Sequence, residues 1–188
     1  MDTKILKKSD YKMTNWSGGT TTEILIYPKG STLENRDFIF RVSSATCEEG
    51  ENIFSDFTGY NRYITSLDND LYLENQGKDH VFKPYEIFSF DGEHSTASKS
   101  AVTDFNLIIQ KGFTGSLRSE SFEDKIQLKI FGGHNLIFIP EGNILMTIDG
   151  ETTELEVFDT IVAFNEEMIL ETIEKRRTKI LIIEAEVD

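Results

Sequence analysis

Arg41 and Arg62 stand inside segments that alternate apolar and polar residues, the pattern of β-strands. Arg41 shares a strand face with Ile39 and Ser43, and Arg62 shares one with Ile64. Asp104 and Asn106 lie between Val102 and Ile108 on another. In a closed barrel inward and outward residues alternate, so polar side chains on an otherwise apolar face line the lumen or meet a partner. A buried arginine needs an acceptor, and its planar fork suits a carboxylate held by two parallel hydrogen bonds. Asn106 offers a donor and acceptors, enough to read an amide, formyl or formimino group. Arg41, Ser43, Arg62, Asp104 and Asn106 therefore point to a small carboxylate-bearing ligand. A structural alternative stays open, in which Arg62 and Asp104 simply pair with each other.

Two further residues border this set. Glu23 follows Gly18-Gly19-Thr20-Thr21-Thr22 and is either a pocket carboxylate or an edge residue paired with Lys or Arg. Gly18-Gly19 leads into a β-branched, strand-like run rather than a helix, so it is no phosphate cradle. It is expected to bend the backbone and bring Trp16 to a pocket mouth; a role for Trp16 as core filler stands beside that. The three histidines, His80, His94 and His134, are isolated and read as loop or turn residues. An open first-row metal site needs about three converging ligands, so neither metal nor cofactor is expected. There is no Gly-x-Ser-x-Gly elbow, and Cys47 precedes Glu48, Glu49 and Glu51, whose charges should suppress its thiolate.

The elements that must position these residues are almost all of period two. Lys125–Phe131 alternates cleanly, and Phe38, Phe40 and Val42 share a face opposite Ile39, Arg41 and Ser43. Further strands are expected at 22–27, 62–67, 102–109, 136–140, 143–148, 161–164, 168–173 and 179–185, with Gly, Asn, Asp or Pro between most of them. No amphipathic helix longer than two turns is expected, and many short strands indicate a sandwich or barrel. Leu71–Phe90 also aligns with Ile144–Ala163 without a gap: Leu71, Leu73, Gly77, Phe82, Tyr85, Glu86 and Phe88 fall on Ile144, Met146, Gly150, Leu155, Phe158, Asp159 and Ile161. Each copy reads as strand, Gly turn, strand and an acidic residue before the next strand, which is a repeated unit.

Composition narrows the function classes. The chain has 188 residues, with 33 Asp/Glu against 19 Lys/Arg and a formal net charge of -14. Nucleic-acid affinity comes from cations neutralising phosphates, so nucleic acid is disfavoured. The basic cluster Lys175, Arg176, Arg177 and Lys179 reads as a solvated turn. One cysteine excludes an internal disulfide, and no run approaches the roughly 18 apolar residues that span a bilayer. Met1–Asp10 has no apolar core of a signal peptide. A cytoplasmic protein that contacts no membrane is expected.

Five segments carry a family resemblance: Asn15–Ile24 (NWSGGTTTEI), Phe40–Ala45 (FRVSSA), Phe54–Arg62 (FSDFTGYNR), Phe90-Asp91-Gly92 and Val102–Asn106 (VTDFN). In this order and at these distances they resemble the HutD/Ves family of small bacterial bicupins. The resemblance covers roughly residues 12–112, with only the cupin rhythm continuing beyond. It implies an all-β bicupin, two RmlC-like cupin barrels packed together in one chain. Residues 1–112 would form the N-terminal barrel with the motifs and 113–188 the second barrel, strand exchange between them being allowed. It implies no established catalytic activity. Some family members sit among histidine-utilisation genes and are proposed to bind formiminoglutamate or formylglutamate and restrain that pathway; others are called stress-induced. Three positions depart from the family pattern: Trp16 where the opening motif has Asn, Thr58 for Pro in the Phe-Pro-Gly turn, and Asn61 for Asp before Arg62. Trp16 and Asn61 lie beside expected pocket positions, so the ligand could differ from that of the histidine-pathway members.

The reading drawn from residues and resemblance together is a protein that binds a small anionic metabolite in its N-terminal barrel and acts in metabolic regulation. Arg41 and Arg62 would hold the anionic group; Ser43, Asp104 and Asn106 would read the rest; Glu23 and Trp16 would border it. The second barrel would serve as packing partner or dimerisation surface. One alternative is a metal-free isomerase or hydrolase of a small acid with Glu23 or Asp104 as base. Another is an interaction module whose acidic surface meets a basic partner.

Overall fold

The period-two segments become antiparallel strands, as half-buried alternating sequences should. The computed structural model describes residues 3–174 and 176–187. The chain begins with β1 (Lys4–Leu6) and a short 3-10 turn (Lys8–Asp10). It continues through β2 (Lys12–Trp16), β3 (Gly19–Tyr27), β4 (Phe40–Cys47), β5 (Asn52–Ile53), β6 (Tyr60–Ser66), β7 (Leu71–Asn75) and β8 (Lys78–Phe82). Next come β9 (Phe88–Asp91), β10 (Thr96–Ser98), β11 (Val102–Gln110), β12 (Thr114–Phe122), β13 (Lys125–Lys129) and β14 (His134–Glu141). The last are β15 (Ile144–Ile148), β16 (Glu151–Leu155), β17 (Thr160–Ala163), β18 (Glu167–Thr172) and β19 (Thr178–Glu186). No described helix is long and apolar enough to cross a membrane.

The chain divides into two units. Tyr11–Thr114 holds a six-stranded sheet, β2-β3-β4-β11-β6-β9, and a four-stranded sheet, β5-β10-β7-β8. The other unit holds the sheets β1-β17-β14-β19-β12 and β13-β18-β15-β16. Residues 3–10, expected from sequence with the N-terminal barrel, group with the described residues of 115–187. The physical reason is β1, whose Lys4, Ile5 and Leu6 pair with Val162, Ile161 and Thr160. Lys7 then anchors the following turn, its ammonium 2.6 Å from Asp159. This N-terminal segment supplies an edge strand to the C-terminal unit, and a covered edge is protected from adventitious pairing.

The repeat is written into the backbone. Tyr85 and Phe158 both adopt left-handed conformations, with φ of 70° and 72°. Such angles cost a bulky residue about 1–2 kcal/mol. The same hydrogen bonds offset the cost in each copy: Tyr85 N–H donates to Ser66 O and Phe158 N–H to Ile139 O. The acidic residue that follows closes the turn. Glu86 accepts from Lys83 N–H at 2.7 Å and Asp159 from Glu156 N–H at 2.9 Å.

β2 and β12 escape the sequence pattern because each lies at the end of its sheet. β2 is exposed throughout, and β12 buries only Leu117 and Phe122. His80 stands on β8 with its ring against Phe82 and Phe88, and His134 opens β14, so neither is the loop residue expected. Of the basic cluster, Arg176 and Arg177 are exposed; Lys175 lies outside the described residues.

Candidate functional site

Five adjacent strands of the six-stranded sheet, β3-β4-β11-β6-β9, carry the wall of the site. Across β4, β11, β6 and β9, Arg41 pairs with Ile108, Ile108 with Arg62, and Arg62 with Phe90. One pleat along, Glu23 of β3 pairs with Ser43, and Ser43 with Asn106; Asp104 pairs with Ala45. Side chains two apart on a strand share a face. The polar residues therefore converge on one side, while Phe105, Leu107 and Ile109 of β11 are buried on the other. The converging face walls a cavity of about 580 Å³. Trp16, Glu23, Arg41, Ser43, Arg62, Asp104 and Asn106, the seven residues singled out from sequence, all line it.

Two separate polar networks occupy the wall. In one, the Arg41 Nε–H donates to Glu23 Oε2 at 2.7 Å and Nη1 to Ser43 Oγ at 2.9 Å. In the other, the Arg62 Nη2 donates to Asn106 Oδ1 at 3.3 Å, and the Asn106 Nδ2 donates to Asp104 Oδ1 at 2.6 Å. Asp104 Oδ1 also accepts from Ala45 N–H at 3.2 Å, and its Oδ2 from the Cys47 thiol at 3.7 Å. The direct Arg62–Asp104 bridge considered from sequence is thus replaced by a relay through the Asn106 amide.

Arg62 is 6% exposed, and no ion pair joins it to a carboxylate among the described residues. Its Nε–H is buried without any acceptor. Three aromatic rings surround the guanidinium instead, with centroids 4.8 Å (Phe54), 5.1 Å (Phe90) and 5.5 Å (Phe57) from Cζ. Each such contact is worth about 0.5–2 kcal/mol, most when desolvated. Burial, opposed by Asp104 and reinforced by Arg41, pulls the Arg62 pKa down to about 10, so the group stays cationic at neutral pH. Burial pushes Asp104 up to about 7 against the pull of Arg62 and of the donors on its carboxylate.

Cys47 lines the same cavity, which sequence reasoning missed. Its thiol rises to about 12, first through burial and then through Asp104. The expected suppression of thiolate has that origin rather than Glu48, Glu49 and Glu51. The aromatic cage was missed too, although Phe54, Phe57 and Phe90 all lie in the segments that carry the resemblance. Asn61, expected near the pocket, alternates away from Arg62 on β6 and is not part of the wall. Thr58 occupies its turn through Asp56, whose Oδ1 accepts both the Thr58 N–H and hydroxyl.

Trp16 is 41% exposed at the cavity mouth, its Nε1–H donating to Thr21 Oγ1 at 3.1 Å. A Cβ on Gly18 would stand 2.2 Å from the Trp16 ring, and one on Gly19 1.7 Å from Thr46 O. Gly18 lets the indole lie against its own hairpin turn, and Gly19 lets the backbone approach Thr46 of β4.

The wall is poorly suited to a metal ion. Its carboxylates are Glu23, held by Arg41, Glu34 at the mouth, and Asp104, already accepting three donors. The guanidinium groups of Arg41 and Arg62 would repel a cation, and no histidine lines the cavity. Among the described residues no group of three or more His, Cys, Asp or Glu is placed to hold a metal.

Residues 8–181 match the family model described as HutD. The chain is 36% identical over 112 residues to an uncharacterised 21.2 kDa protein from the hutC 3' region of Pseudomonas putida. That match spans 56% of this chain and 57% of the relative, little more than half of its length. Among solved structures it is similar to a conserved protein of unknown function from Pseudomonas aeruginosa PAO1, with 23% identity, TM-score 0.87 and full coverage of both chains. HutD from Pseudomonas fluorescens SBW25, solved in a formate condition, gives 21% identity and TM-score 0.77 over 98% of each chain. A cupin 2 conserved barrel domain protein from Leptotrichia buccalis gives 14% identity and TM-score 0.61 over 97% of this chain and 96% of that one. At these identities the structures speak for the fold: two cupin barrels in one chain.

Proposed function

The chain belongs to the HutD family, and from that premise we propose that its N-terminal cupin barrel binds a small carboxylate-bearing metabolite, without a metal, as a regulator of metabolism. One observation carries this reading. Arg62 is a buried cation whose one side-chain hydrogen bond among the described residues runs to Asn106 and whose buried Nε–H has no acceptor, on the wall of a cavity large enough for a metabolite. Uncompensated buried charge is costly unless something pairs with it, and a ligand carboxylate is the natural partner. Ser43 and the Asn106 amide stand beside the guanidinium groups to read what the carboxylate is attached to. The Pseudomonas putida relative comes from a hutC 3' region, which places N-formylglutamate and formiminoglutamate, both dicarboxylates, among the acids to test, in a cytoplasmic setting.

Thermal shift and calorimetry with these acids, glutamate and sugar acids provide the test. A saturating acid at about 100 Kd should add roughly 2.7 kcal/mol of apparent stability. The gain should vanish in Arg62→Ala. No response to any acid would remove the reading.

A second reading is favoured by Asp104 alone. A wall carboxylate raised to about 7 is poised to exchange a proton near neutral pH, as a general acid or base requires. Glu23, the other candidate base, is engaged by Arg41. Turnover of a bound acid, abolished in Asp104→Asn with binding retained, would put the enzyme reading first.

A further inference from the structure

The two arginines of the wall are not equivalent, and the difference bears on the charge of the ligand. Arg41 has its own carboxylate: Glu23 Oε2 lies 2.7 Å from its Nε, and Ser43 takes Nη1. Arg62 has none. The remaining charged lining residues, Lys12 and Glu34 at the mouth and Asp104 within, add one cation and two anions. A ligand with one carboxylate finds one buried guanidinium with no carboxylate in direct contact, Asp104 reaching it only through Asn106. A second carboxylate would have to displace Glu23 or settle beside it, and two like charges close together in a partly desolvated cavity repel strongly. The uncharged remainder of the ligand also has a place. Trp16, Leu33 and Ile53, three of the large apolar side chains left exposed in this protein, all border this cavity.

We infer that Glu23 is a specificity-determining residue, occupying Arg41 so that the cavity selects monocarboxylates over dicarboxylates. This rests on the reading of the cavity as a carboxylate site and narrows it to monocarboxylates, against the dicarboxylates N-formylglutamate and formiminoglutamate. Specificity arises here from a repulsive element placed against the wrong ligand as well as from the attraction of Arg62 for the right one.

The probes are pairs matched in shape and differing by one charge: N-formylglutamine against N-formylglutamate, and hexanoate against adipate. Calorimetry on the wild-type protein should give at least a tenfold preference for the monocarboxylate of each binding pair. Glu23→Gln, which removes the charge and keeps the shape, should shrink that ratio at least tenfold by strengthening dicarboxylate binding. Glu23→Asp should retain the wild-type preference. Equal or tighter binding of dicarboxylates by the wild-type protein overturns the inference while leaving the carboxylate site intact. So does a ratio unmoved in Glu23→Gln. Binding of no member of either pair, and of no glutamate or sugar acid, by the wild-type protein or by the variants removes the carboxylate site itself. The wild-type ratio decides the matter even where a variant fails to fold.

Discussion

Ile64 in the N-terminal barrel and Ile137 in the C-terminal barrel stand at the same point of the same ladder. Each is fully buried, and each pairs with an aromatic or aliphatic residue on one side, Phe88 or Ile161. On the other side the barrels part. Ile64 pairs with Asn106, whereas Ile137 pairs with Ile182. Two residues before those partners lie Asp104 and Ile180; two before the isoleucines lie Arg62 and Asn135. The polar set Arg62, Asp104 and Asn106 is thus answered by Asn135, Ile180 and Ile182. The two isoleucines join an apolar cluster with Ile139, Ile144, Met146 and Leu170, and Asn135 satisfies itself on Gly132 O at 2.6 Å. One ladder therefore supports either a filled core or a charged wall. The fold supplies positions, and the side chains placed there decide whether a site exists.

The hardest way to break this comparison is to write one barrel's residue into the other. Ile180→Asp places a carboxylate in the apolar cluster without the donors that Ala45, Asn106 and Cys47 give Asp104. An unpaired buried charge costs about 3–5 kcal/mol or more. Urea denaturation should show a loss of that order. A loss under about 1 kcal/mol would mean that the C-terminal barrel tolerates charge, and the contrast would fall.

Arg62→Met sharpens the comparison from the other side. Methionine fills the space among Phe54, Phe57 and Phe90 and contacts rings favourably, while the buried unpartnered Nε disappears. Stability is expected to stay within about 1 kcal/mol of wild type. Affinity for a carboxylate ligand should fall by about 2–5 kcal/mol, more than about 30-fold. An equal loss of stability would make Arg62 a structural residue like its neighbours.

Asp104 separates the barrels by pH. Its native pKa of about 7 lies above the ordinary carboxylate value near 3.9. Between those values the native state holds a proton that the unfolded state has released, so stability falls as pH rises through that window. The slope due to this group is at most about 1.4 kcal/mol per pH unit. Asp104→Asn should lack that component, seen as a difference between wild-type and variant denaturation curves from pH 4 to 7. Parallel curves would show that Asp104 is not raised.

Much of this is legible in the sequence. Alternation places Arg41, Arg62, Asp104 and Asn106 inward because the period of a strand is fixed at two. The repeat is legible because both copies need an acidic residue to close the same left-handed turn, at Glu86 and Asp159. Partner choice is not legible in the same way. Whether Arg62 meets Asp104 directly or through Asn106 depends on the register between β6 and β11 and on the side-chain rotamers, neither of which alternation specifies. Strand exchange by β1 is invisible for a similar reason: a three-residue strand carries almost no pattern, and its partner lies more than 150 residues away.

The smallest effect expected concerns Trp16, the only tryptophan in the chain and a residue for which the C-terminal barrel's apolar cluster has no counterpart. Its indole lies at the cavity mouth, braced by Thr21 and seated on Gly18. A ligand entering the cavity should change the solvent contact of that ring, so carboxylate binding is expected to shift the intrinsic emission of the wild-type protein. Because the ring is partly exposed already, covering a ligand with it buries modest additional apolar area, at about 25 cal/mol per Å². Trp16→Ala should therefore weaken binding only several-fold, far less than Arg62→Met, and leave the preference for one carboxylate over two unchanged. A loss as large as that of Arg62→Met would move the centre of recognition from the buried guanidinium to the rim. An emission spectrum unmoved by a ligand that calorimetry shows to bind would place that ligand deeper than the indole can sense.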